Sequence, residues 1–237
     1  MEKPFGKNDV TSEELRSEVE EQKALQHLKD KGIEEPDRLL ESYLVRISEG
    51  MSLLESKGRR YPWRSTDSLY RIYITEILLQ RTRGESVNKI YRDFFQAFNK
   101  PEELYRAEER EIRDEVKSLG FVNKRVKTLQ SASEMLKENG FEVPKEKEIL
   151  MRPWRVGPYV ANATLLFGFD KSIELIDTNI AKTVEELLNY PLPRVPHKDK
   201  EFRCFMRHLT PESPKIARPY YFAMIDFELY EEVIKEE

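Results

Sequence analysis

Apolar residues recur at intervals of three and four along almost the whole chain, the spacing that gathers one face of an α-helix. Leu40, Tyr43, Leu44, Ile47, Met51 and Leu54 form one such face, on a helix expected from Pro36 to about residue 57. Val87, Ile90, Tyr91, Phe94, Phe95 and Phe98 stripe another. Residues 69–80 are apolar nearly all round, which predicts a helix central to the core, capped by Asp67 or Ser68. Shorter helices are expected near 101–107 and 108–119, ended by Gly120, and a longer one over 123–139, ended by Gly140. Thr11 and Glu14 have the spacing of a capping box, and the polar helix they open is expected to stop at Gly32 as a solvated appendage. Residues 145–167 read as helix, short hairpin, helix, with Gly157-Pro158 at the second start. An extended piece over 173–176 leads to Asp177 and a helix to 188. Pro191, Pro193 and Pro196 mark a loop, and two helices close the chain, the last from 214 to about 230. The class is all-α. The expected organisation is a charged extension over 1–36, a middle lobe of about 68–188 with its hairpin at 151–157, and a second lobe from 37–67 and 189–237.

Composition narrows the function more than the fold. Of 237 residues, 39% are apolar and 35% charged, and the nine glycines are too few for the turn density of an all-β fold. No apolar run is long enough to span a membrane, and the charged start, from Glu2 and Lys3, is unlike a signal peptide. Cys204 is the one cysteine, which excludes an intrachain disulfide and any multi-cysteine metal or iron–sulfur site within these residues and points to a reducing, intracellular setting. The net charge of −4 is uneven: residues 1–57 carry −5, residues 58–170 carry +4 and the rest −3. Only the middle stretch has a balance suited to phosphates.

Candidate chemistry gathers in two short segments. Val156-Gly157-Pro158-Tyr159-Val160-Ala161 places a glycine before a helix start, where bare backbone N–H groups bind a phosphate without reading sequence. Ile176-Asp177-Thr178-Asn179-Ile180 opens the following helix with a carboxylate. Taken singly, Asp177 is an ordinary N-cap and Gly-Pro is punctuation.

Together these segments resemble the helix-hairpin-helix DNA glycosylases, whose hairpin reads Leu-Pro-Gly-Val-Gly and whose catalytic aspartate follows a diagnostic position at a fixed interval. Asp177 stands at that interval from Tyr159. Tyr61-Pro62-Trp63-Arg64, residues 74–82, residues 119–126 and Met224-Ile225-Asp226-Phe227 resemble further blocks of the same family in the same order, so the likeness covers roughly 40–230. It implies a two-lobed helical fold with the active site between the lobes, and a monomer acting on double-stranded DNA that carries a mispaired or damaged base.

The resemblance also implies residue roles. Family members that cleave the strand carry a lysine at the diagnostic position; Tyr159 has no amine for a Schiff base, which implies hydrolysis of the N-glycosidic bond alone. Asp177 would steady the sugar cation and orient the attacking water. Glu76 matches a residue that protonates the departing base in adenine-removing relatives, and a carboxyl inside an apolar helix is a poor core residue. Gln80 and Phe121 match positions that fill or wedge the space an extruded base leaves, and both residue types also serve ordinary packing. Gly157, Val156 and Arg155 form the hairpin; Lys124 and Arg125 either hold phosphates or belong to a solvated helix face. Trp63 reads as core. No cofactor or metal is implied. Two departures stand out: Trp154-Arg155 replaces the usual Pro-Gly, and no four-cysteine loop follows the last helix. The implied substrate is thymine or uracil opposite guanine. Adenine opposite oxidised guanine is the alternative, as is a DNA-binding relative with little catalysis.

Overall fold

The computed structural model describes residues 9–236, with side chains as far as residue 231; the start of the expected extension, residues 1–8, lies outside the described residues. Fourteen α-helices follow one another among them. These are α1 (Ser12–Glu18), α2 (Glu21–Asp30), α3 (Pro36–Lys57), α4 (Leu69–Leu79), α5 (Gly84–Ala97), α6 (Pro101–Arg106) and α7 (Glu109–Val116). After them come α8 (Val122–Glu138), α9 (Lys147–Leu150), α10 (Pro158–Phe169), α11 (Thr178–Leu188), α12 (Lys200–Leu209), α13 (Pro214–Ile225) and α14 (Phe227–Glu236). No strand occurs among the described residues. No helix there is long and apolar enough to cross a membrane.

The helices sort into two compact units. One is Tyr61–Phe169; the other joins the chain up to Arg60 with the chain from Asp170 onward. The division therefore falls earlier than the expected 68 and 188, and α11 goes with the terminal unit. Its apolar face explains this: Ile180, Val184 and Leu187 are buried, and α11 packs on α3 and α13.

In the middle unit α4 is the central helix, as its all-round apolar pattern predicts. It packs against α10, α5 and α8, while α6 and α7 cover α8. Ser68, one of the two expected caps, accepts the Arg71 N–H at 3.3 Å. The loop before α4 is fixed by aromatics: Tyr61 stacks on Trp63 at 4.4 Å, and Trp63, buried as expected, tilts against Tyr91. Gly84 opens α5 where a β-carbon would lie 2.6 Å from the Tyr61 ring, so a side chain there would displace that stack.

In the terminal unit α3 is the axis, with α1, α2, α11, α13 and α14 against it. The polar N-terminal helix differs from expectation in two ways. It breaks at Val19–Glu20, because that linker bonds elsewhere: Glu20 N–H reaches His208 O at 2.9 Å, and Glu212 N–H reaches Glu18 O at 2.8 Å. It is also docked rather than solvated, with Leu15, Leu25 and Leu28 buried. The expected closing helix is likewise two helices, parted at Asp226. That carboxylate is fully buried and accepts the Arg59 guanidinium at 2.6 Å and the Arg59 backbone N–H at 3.0 Å.

Candidate active site

The middle unit presents the hairpin. Between α9 and α10 the chain turns sharply, and Arg155 takes φ +63°, the left-handed conformation that a glycine adopts without cost. The departure noted in the sequence is thus a substitution of residue and not of backbone shape. Three bonds pin the turn. Gln80 Nε2 donates to Arg155 O at 3.0 Å, Trp154 N–H donates to Ser131 Oγ at 3.0 Å, and Val156 N–H donates to Pro153 O at 3.0 Å. Val156 buries its side chain, so it anchors the turn and presents only backbone outward. Gly157 has an ordinary φ, and a β-carbon there would meet nothing within 4 Å. The protein's own packing therefore does not require glycine at 157, and the place a side chain would take there is open.

Tyr159 is the second residue of α10 and is half-buried. Glu76 sits in α4, the helix on which α10 packs, and is 5% exposed. Thr75 on α4, with Asn162 and Thr164 on α10, are also buried, so polar groups collect on two otherwise apolar helices. Polar burial of this kind is costly and commonly marks a working site.

The end of α4 is where expectation and structure part. Arg125 is neither a phosphate contact nor part of a solvated face: it is 5% exposed, and its guanidinium donates to Leu78 O at 2.8 Å and Thr82 Oγ1 at 2.6 Å, with longer bonds to Ile77 O and Gln80 O. The last carbonyls of a helix lack intrahelical donors, and Arg125 supplies them. Burial pulls its pKa below the usual arginine range. Gln80, whose carbonyl this arginine holds, is committed through its own side chain to the hairpin. Phe121 is different. It caps α8 at φ +49° and leaves 56% of its surface exposed, with the Lys124 ammonium 5.8 Å from the ring. An exposed phenylalanine held in a strained backbone conformation has no packing role to explain it.

Sequence reasoning misses Trp154, Lys127 and Ser131. Ser131 accepts the hairpin bond given above; Trp154 is 36% exposed, with Lys127 Nζ at 4.8 Å and the Arg155 guanidinium at 5.3 Å from its ring. A signal is present in the chain: residues 149–169 contain no acid.

In the terminal unit Asp177 caps α11. Its Oδ1 accepts the Ile180 N–H at 2.8 Å. Desolvation by burial raises its pKa above the usual aspartate range, against a smaller opposing effect of the Ile180 and Asn179 backbone N–H groups. A carboxylate so placed is fixed by its cap and partly withdrawn from water, both useful toward a developing cation. Among the described residues no group of three or more histidine, cysteine or acidic side chains is arranged to hold a metal ion.

Residues 74–209 match the family described as HhH-GPD superfamily base excision DNA repair protein. A thymine/uracil-DNA glycosylase of Pyrobaculum aerophilum is 31% identical over 169 residues, spanning 70% of this chain and 73% of the relative. An endonuclease III of Thermotoga maritima is 28% identical over 172 residues, 71% of this chain and 78% of the relative. Among solved structures, that of a thermostable thymine-DNA glycosylase superposes with a TM-score of 0.68 at 26% identity, covering 78% of this chain and 85% of the other.

Proposed function

Because the chain belongs to the HhH-GPD superfamily of base excision DNA repair proteins, we propose that it is a monofunctional DNA glycosylase removing thymine or uracil mispaired with guanine. The observation that carries the monofunctional part is Tyr159, just beyond the hairpin glycine, at the position where strand-cleaving members of the family have a lysine. The thymine and uracil preference is supported by the Pyrobaculum relative and by the thymine-DNA glycosylase structure.

In this reading the target nucleotide leaves the helix stack, which costs least where the base is mispaired. Phosphates of the damaged strand meet the bare N–H groups before α10, opposite the open space at Gly157. As the C1′–N bond lengthens, positive charge grows on the sugar and the Asp177 carboxylate stabilises it. Water then adds to C1′ and passes a proton to that carboxylate, a transfer helped by its raised pKa. The electron pair of the broken bond leaves with the base. Tyr159 walls the base pocket and Glu76 bonds the base edge. Phe121 occupies the vacated stack, while Gln80 keeps its bond to the hairpin. Glu76 would equally protonate a departing adenine, and adenine opposite oxidised guanine is for that reason the second reading.

The test is a single-turnover reaction on a G·U duplex, divided before analysis. Free uracil should appear at once, with the strand intact until hot alkali is added, and borohydride should trap no protein–DNA adduct. A trapped adduct in stoichiometric yield would mean that a lysine attacks the sugar and that the enzyme is not monofunctional.

A further inference from the structure

Lys127 and Arg155 bring two positive charges to one exposed ring, that of Trp154. Each cation gains from the ring face, but the two repel one another. The sequence around them supplies no local relief: α8 has no acid before Glu134, and residues 149–169 have none at all. Among the described residues neither cation forms a salt bridge. Arg155 moreover holds a left-handed conformation that glycine would adopt without strain. Repulsion, strain and a partly solvent-facing tryptophan oppose stability and offset what the cations gain from the ring.

The cluster is nonetheless held firmly. Gln80 and Ser131 bind the backbone on either side of the Trp154–Arg155 peptide. Lys127 and Ser131 are four apart on α8, and Lys124 lies one turn before Lys127, so all three share a helix face. That face runs from Phe121, with Lys124 beside its ring, to Trp154. The result is an alternation of aromatic and cation without an acid, leading away from the α10 N-terminus.

We propose that Lys127, Trp154 and Arg155 form a clamp for a DNA backbone phosphate, additional to the N–H groups of the hairpin. The anion neutralises the two cations and is fixed by them, while the indole sets their spacing and lies against the adjoining sugar. The clamp reads no sequence, and Lys124 extends it by one phosphate. This rests on the DNA-handling part of the proposed function and is independent of its chemistry.

The experiment is equilibrium binding of the full chain to an undamaged duplex across a range of salt, so that it succeeds or fails apart from any base release. Each phosphate contact contributes about 0.9 to the slope of log K against log salt. Lys127→Gln with Arg155→Gln should reduce that slope by about 0.9, the share of one phosphate, and weaken binding about tenfold or more at physiological salt. Trp154→Leu should weaken binding several-fold while leaving the slope within about 0.3 of wild type. Arg155→Gly is the control for fold: its melting temperature should rise as the strain is relieved, and its affinity should still fall. An unchanged slope and affinity in the double variant would overturn the clamp. So would a loss of affinity that merely tracks a loss of melting temperature.

Discussion

α10 and α11 begin in opposite ways, and the difference suits the separate roles proposed for them. α10 opens with Gly157, which has no side chain to cap it, and Pro158, which has no N–H to satisfy; a side chain at 157 would meet nothing. α11 opens with Asp177, whose carboxylate takes the Ile180 N–H. One helix leaves its positive end for an anion from outside, and the other brings its own. The first arrangement suits a phosphate that arrives and departs. The second fixes a carboxylate in one rotamer, at the cost of withdrawing it from water, and so keeps a negative charge ready for a sugar cation.

The largest effect should follow from removing that charge. Asp177→Asn keeps the cap, because an amide oxygen also accepts from Ile180, and it keeps DNA affinity. Base release should nevertheless fall by about two orders of magnitude or more, the scale of losing one electrostatic stabiliser of a transition state. A single-turnover rate within threefold of wild type would reduce Asp177 to an N-cap like any other. The pH profile sharpens the point. The carboxylate is the active form and its pKa is raised, so activity should decline on acidification at a pH above the usual aspartate range.

A smaller effect is expected at the other helix. Gly157→Ala should leave the melting temperature unchanged, since the added methyl meets nothing. It stands where the phosphate approaches, however, and duplex affinity should fall about tenfold, or roughly 1.4 kcal/mol. Equal affinity for the two proteins would mean that the α10 N-terminus is not a phosphate site.

The smallest effect is on stability. A raised pKa means that the folded protein carries Asp177 as an anion at a penalty above that pKa and loses the penalty as pH falls through it. Asp177→Asn should therefore melt slightly higher than wild type at neutral pH, and the gap should close on acidification. A variant less stable at neutral pH would show that the charge, through its cap, stabilises more than desolvation costs.

Which features the sequence discloses depends on whether their causes are local. The helices over 36–57, 69–79 and 158–169 are legible because periodicity, a terminal proline and a following glycine or loop are all local signals. The break at Glu20 is not, since it depends on partners near residues 208 and 212; nor is the break at Asp226, which depends on Arg59. The site divides in the same manner. Asp177 as a cap and the hairpin at 155–157 are visible in short segments. Arg125 reads as a surface base because the carbonyls that bury it, those of Ile77 and Leu78, belong to a helix far earlier in the chain. Trp154 stands out in the sequence only as a departure, and its pairing with Lys127 is seen only when α8 and the hairpin are adjacent.

Which base leaves is decided by side-by-side single-turnover rates on G·U, G·T and A·oxidised-guanine duplexes. A weakly paired pyrimidine is cheaper to extrude than a well-stacked adenine, and the pocket walled by Tyr159 is proposed to fit a single ring. Uracil and thymine should be released faster than adenine by at least about tenfold, a difference of roughly 1.4 kcal/mol in barrier. Adenine leaving fastest would contradict that order and make Glu76, as the acid for a purine, the residue around which the function has to be rewritten.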